Sequence, residues 1–210
     1  MLGSRNANQR EVKTAVWKFL SFDSSKNRIG GATAKGIIGD MNAAVQANTS
    51  TLRYLPIPET IALEARRTRK DRFGHDLRVT TDEAPCRICL RISRGPERLI
   101  LLSYQPLPDS GPYAEIGPIF VHAHRCEPYD DFESFPQDFA GRRLVLRAYD
   151  HDGQIVDALV AEAGTAPQRA AALLSDRDVA EVHVRHESYT CYDFKIVRAS
   201  NRREAGRNQS

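Results

Sequence analysis

Nowhere in these 210 residues does an apolar run approach the roughly 20 residues needed to cross a bilayer, so no membrane span is expected. A charged-then-apolar leader ending in a small-residue cleavage site is missing as well, and a cytoplasmic location is the expectation that follows. A large excess of one sign of charge is also lacking. The formal balance is +3, and residues 1–40, with seven basic groups against three acids, hold +4 of it, which leaves −1 for the rest of the chain. Phosphate binding is driven by clustered Lys and Arg displacing counterions, so a nearly neutral main body speaks against nucleic acid as a partner. No internal repeat is present. The glycines around Lys35 do not form a phosphate loop, because that motif needs Lys after its last Gly and Ser or Thr next, whereas Lys35 precedes Gly36 and Ile37 follows. Cysteines number only four, and a cytoplasmic setting disfavours pairing them as disulfides.

What the chain does have is the composition of an ordinary globular domain, 41% hydrophobic and 27% charged. Residues 1–50 read as an N-terminal extension. In it, EVKTAVWKFL places Val12, Val16 and Phe19 at helical spacing, and a Gly-, Ser- and Ala-rich connector follows, with Met41 at its end as an alternative start. Residues 51–199 read as a single domain and 200–210 as a disordered basic tail.

Within the domain, nine short extended segments alternate with two main helices. The strands are expected in LRYLPIP, DLRVT, RICLRI, RLILLSY, IGPIFVHA, RRLVLRAYD, IVDALVAEA, VAEVHVRHE and CYDFKIVRA. One helix is expected to open at Pro58 and close at Gly74, and a second, in APQRAAALLSD, to be capped by a Thr165 to Gln168 box. Asp152-Gly153 marks a hairpin. The implied class is α+β, a mostly antiparallel sheet of about eight or nine short strands. For the last hairpin, a five-residue loop sets Glu181 opposite Lys195, His183 opposite Asp193 and Arg185 opposite Cys191, with Val182, Val184, Tyr192, Phe194 and Ile196 on the buried face.

Chemistry concentrates in GPIFVHAHRCEPY. Along a strand, His122 and His124 share a face that Cys126 would continue. His122 and Cys126 would then lie ~13 Å apart at their Cα atoms, at about 3.3 Å per residue. A metal such as zinc needs donors ~2.0 to 2.3 Å away, so both can bind only if the chain curls after Ala123, which Pro128 favours. Cys191 or His183 from the last hairpin could complete a set of His and Cys ligands, and His122 with Cys126 reads as half of a site whose other half is Cys191 or Cys86. Cys126 as a nucleophile assisted by His122 is a second reading, and His183 oriented by Asp193 as a general base is a third. Each competes with a polar strand end carrying surface histidines. Cys86-Arg-Ile-Cys89 has the spacing of a zinc knuckle, but RICLRI reads as a strand, whose positions three apart face opposite ways unless Pro85 bends the chain. Cys89 therefore reads as a small buried hydrophobe.

These residues carry a resemblance. APCR (84–87), LILLSYQPLPDSGPY (99–113), GPIFVH with Cys126, RAYD (147–150) and VHVR followed by Cys191 and IVRA resemble the bacterial domain-of-unknown-function family 1203, over about 52–199. The resemblance implies that Cys86, Arg87, Pro112, Tyr113, His122, Cys126, Arg147 and Cys191 are characteristic positions. It departs at Thr190, where the family often has Gly, and leaves Cys89 outside its pattern. It implies no activity, cofactor or partner.

Two classes of function follow. A binding module would hold a small anionic molecule or peptide with Arg87, Arg147 and Tyr113 around a cleft, because guanidinium forks grip carboxylate and phosphate. A metal protein or cysteine-dependent enzyme would use His122 and Cys126 with Cys191.

Overall fold

The computed structural model describes residues 52–107 and 111–199. The N-terminal extension and the tail inferred from the sequence lie outside these described residues. The elements run β1 (Leu52–Leu55), α1 (Glu59–Thr68), β2 (Arg78–Thr80), β3 (Leu99–Tyr104), β4 (Gly117–His122), α2 (Gln137–Ala140), β5 (Leu144–Tyr149), β6 (Ile155–Ala161), α3 (Ala166–Leu174), β7 (Glu181–His186) and β8 (Tyr192–Arg198). The class is α+β, with eight strands in two antiparallel sheets among the described residues. One sheet has the order β1-β8-β7-β5-β6 and the other β2-β3-β4. Pro56 follows β1 directly, and β1 is an edge strand, the place where a residue without an N–H does least harm.

Alternation fills two cores. Leu144, Leu146 and Ala148 of β5, Val182 and Val184 of β7, and Phe194 and Ile196 of β8 point to one face, where Ala170, Ala171 and Leu174 of α3 cover them. Ile100 and Leu102 of β3 and Ile119 and Val121 of β4 join Ala62 and Ala65 of α1 in the second cluster, which also contains Cys86 and Cys89. The Tyr104 and Tyr192 rings, 5.4 Å apart at their centroids, bring β3 against β8 and so join the sheets.

Three local expectations need correction. First, α1 ends at Thr68, where Arg69 turns left-handed (φ 60) and its N–H bonds Ala65 O at 2.9 Å. Gly74 instead serves a following turn (φ 86) organised by the Asp71 carboxylate, which accepts from Phe73 N, His75 N and Ser103 N at 2.9 to 3.0 Å. Burial pushes Asp71 up, yet these bonds outweigh it and hold the carboxyl at about 2.

Second, Thr165 does stand at the N-cap of α3, but its hydroxyl donates back to Glu162 O at 2.8 Å and no capping box forms. Third, the β7–β8 register is displaced by two: Val182 pairs with Ile196, His183 with Lys195 and Val184 with Phe194, and the ladder then slips so that Arg185 pairs with Tyr192. The bulge at Asp193 rotates Tyr192 out of the Phe194 face and into the second core. Lys195 still reaches Glu181, at 2.8 Å, and His183 bonds Glu181 at 2.7 Å rather than Asp193.

Candidate metal centre

The ninth expected strand is a knuckle. Ala84 and Ser93 exchange a ladder bond (Ser93 N to Ala84 O, 3.0 Å), as do Cys86 and Arg91 (Cys86 N to Arg91 O, 2.9 Å). The chain between them closes with Leu90 N on Cys86 O at 2.9 Å. Leu90 sits at φ 53, a left-handed conformation uncommon for a branched, non-glycine residue. The turn reverses the outcome read from strand periodicity: Cys86 and Cys89 now face the same side. Ile88, Leu90 and Ile92 are all buried, so the alternation that imitates a strand in RICLRI is satisfied by a turn packed on both flanks.

The knuckle docks along β4. Arg87 N bonds Phe120 O at 3.0 Å, and His122 N donates to Cys86 Sγ at 3.4 Å. β4 ends at His122 and the chain bends at Ala123 and His124. That bend is pinned from two sides, by Ala123 N on Arg98 O (2.7 Å) and by the Arg66 guanidinium on His122 O (2.9 Å). Tyr129 N then bonds Ile88 O at 2.9 Å, drawing the segment that carries Cys126 back onto the knuckle.

Four side chains from three segments converge as a result. One donor atom each from Cys86, Cys89, His122 and Cys126 lies within 4.8 Å of all the others. Cys86 Sγ is 3.9 Å from Cys126 Sγ, and Cys89 Sγ is 3.6 Å from His122 Nδ1. A tetrahedron with bonds of about 2.0 to 2.3 Å has edges of roughly 3.3 to 3.8 Å, and the 3.6 and 3.9 Å separations are close enough to this that the group could hold one metal ion. They are far too long for a disulfide, whose sulfurs stand ~2.05 Å apart, and all four cysteines are free.

The electrostatics point the same way. Hydrogen bonding from Cys126 and Cys89 draws the Cys86 thiol down, and the same contact with Cys86 pushes the half-buried Cys126 up. Bonds to Cys86 and then Cys89 raise His122 to about 10. Three thiols and an imidazole in one pocket thus compete for a few protons, and a divalent cation held by them would remove the conflict, since such ligands bind as thiolates and neutral imidazole. His122 presents Nδ1 to the sulfurs. Its Nε2 is buried without a hydrogen bond among the described residues and faces Glu97 Oε2 at 3.6 Å, in the manner of the outer carboxylate that orients a ligating histidine.

The other expected site residues lie elsewhere. Cys191 is not in the group; its Sγ contacts Tyr189 O at 3.7 Å on the β7–β8 loop. His183 is enclosed between the rings of Tyr149 and Tyr192, with centroids at 4.4 and 5.1 Å, and burial lowers its pKa against the pull of Glu181. It is a sheet-interior histidine, and Asp193 does not orient it. His124 is exposed.

Arg87 is buried, and it lines a cavity that opens where the two sheets meet. It donates Nε to Tyr192 O at 2.8 Å and a terminal nitrogen to Pro85 O, and pairs with Asp193 at 3.0 Å, so all three of its nitrogens are engaged within the protein. Arg147 pairs with Glu115 at 3.2 Å, and Tyr113 is exposed. The residue that sequence reasoning set aside is Cys89. Its CxxC spacing from Cys86, together with Pro85, was the available clue.

Neither curated proteins nor solved structures give a match to this chain. A family model does match, over residues 83–198, and that span contains all four clustered residues. The chain belongs to the family described as protein of unknown function (DUF1203), since the match covers more than half of it.

Proposed function

We propose that this domain binds one zinc ion through Cys86, Cys89, His122 and Cys126, and that the ion is structural. The convergence of four donor atoms within 4.8 Å carries the reading. Four protein ligands close the coordination sphere, whereas a catalytic zinc keeps a position open for water or substrate. The ion would tie together three separate segments: a ten-residue knuckle, the end of β4 and the loop after it. Three thiolates also call for a reducing compartment, which supports a cytoplasmic setting, and no helix among the described residues is long and apolar enough to cross a membrane.

The test is the metal content of untagged full-length protein prepared without added zinc. One zinc per chain is expected, retained in Cys191→Ser and lost in Cys126→Ser. Metal well below one per chain, or loss in Cys191→Ser, would count against the assignment.

A further inference from the structure

A second feature stands apart from the four-ligand cluster. Where the two sheets meet, a cavity of about 450 Å³ opens between the knuckle, β3, β4 and the β7–β8 loop. Its volume lies in the range of small-molecule sites. Leu101 and Phe120, paired across the β3–β4 ladder, form its floor with Pro118 and Ile92. They lie on the face opposite Ile100 and Val121, and both remain half-exposed, so the apolar strip is unfinished by the fold itself.

The polar groups of this cavity favour an anion. Arg142, which follows α2, anchors its Nε on Asp138 O at 3.2 Å, and among the described residues its terminal nitrogens meet no carboxylate. His186 stands nearby. Its Nδ1 accepts from Ser188 N at 3.3 Å, which leaves Nε2–H as the donor. Burial first, and then the Arg142 and Arg87 charges, lower the pKa of this imidazole. The two acids on the lining, Asp82 and Glu83, are exposed at the mouth, where solvent screens them.

The loop is also held in an unusual shape. Thr190, a β-branched residue, adopts φ 54, fixed by its N–H on His186 O at 2.8 Å and by Arg185 Nη1 on its carbonyl at 2.9 Å. This conformation turns Cys191 and His186 onto the same cavity. Non-glycine residues in such conformations gather at ligand clamps and active sites, because the surrounding structure must over-determine them.

We propose that this cavity binds a small organic carboxylate with an apolar body, the carboxylate held by Arg142 and His186 Nε2–H and the body seated on Leu101 and Phe120. Guanidinium and carboxylate match in geometry as well as in charge, whereas the floor supplies area and no hydrogen bonds. The site does not depend on the metal reading.

The probe is 2-naphthoate, titrated into the full-length protein and followed by calorimetry, with the uncharged 2-naphthalenemethanol as its partner. Saturable one-to-one binding is expected for the acid, at least tenfold weaker binding for the alcohol, and at least tenfold weaker binding of the acid to Arg142→Gln, in line with loss of a charge-assisted pair. Alkylation of Cys191 should slow when the acid is bound. The proposal is overturned by absence of saturable binding, by equal affinity for acid and alcohol on the wild-type protein, or by an Arg142→Gln protein with native circular dichroism that binds the acid unchanged. None of these outcomes alters the zinc content, so the two assignments fail separately.

Discussion

Cys89→Ala is expected to lose the zinc and with it about 10 °C of thermal stability. A metal that binds the folded chain at a concentration some thousandfold above its dissociation constant contributes roughly 4 kcal/mol, and 1 kcal/mol moves the midpoint of a domain this size by about 2 to 4 °C. Cys89 is 4% exposed and supplies one of the four donors. Its removal leaves three ligands, of which two are thiols that repel as thiolates. If Cys89 were merely a small buried apolar group, alanine would cost about 1 kcal/mol, the small-volume end of core substitutions. Scanning calorimetry with metal analysis on the same samples separates the cases. Cys89→Ala that keeps its zinc and melts within a few degrees of wild type would remove Cys89 from the site. Cys191→Ala, off the cluster, should leave both quantities close to wild type.

The second large effect belongs to Arg87, and it is one of stability rather than ligand affinity. Arg87 and Asp193 are 2% and 0% exposed, and their 3.0 Å pair ties the knuckle to the bulge in β8. Burial holds the Asp193 carboxyl up at about 6 even though Arg87 pulls it down. Truncating one member of such a pair strands the other, at a cost of about 3 to 5 kcal/mol, whereas replacing both by apolar groups of similar volume is often neutral. Arg87→Met should therefore lose that much in urea unfolding, and Arg87→Met with Asp193→Leu should recover most of it. A single variant as stable as wild type, or a double variant no better than the single, contradicts the structural role.

The difference between what was legible in the sequence and what was not follows the physics of local signals. LILLSY, GPIFVH and LVLRAY alternate with period two and became β3, β4 and β5, because one face of each is buried. Asp152-Gly153 marked its hairpin, with Gly153 at φ 75. RICLRI failed because Ile88, Leu90 and Ile92 repeat at the same period. The left-handed residue that makes the turn is a leucine, which announces nothing, instead of the glycine that would have.

That one misreading separated Cys89 from Cys86 and removed Cys89 from view. The β7–β8 register failed for a related reason: a displacement by two residues keeps Val182, Val184, Phe194 and Ile196 on their face, so alternation does not distinguish the two pairings, and the bulge at Asp193 carries no local signal. The bend after β4, by contrast, could be required in advance, since a straight strand keeps His122 and Cys126 ~13 Å apart. Cys191 drew attention by type, yet no local pattern tells which cavity a loop cysteine will enter.

The most direct measurement of the central claim is the zinc X-ray absorption fine structure of the purified full-length protein. Three sulfur ligands at ~2.3 Å and one nitrogen at ~2.0 to 2.1 Å, with the imidazole signature lost in His122→Ala, is the result expected of Cys86, Cys89, Cys126 and His122 around one ion. A first shell of oxygen and nitrogen alone, or a sulfur count unchanged in Cys89→Ala, would contradict it.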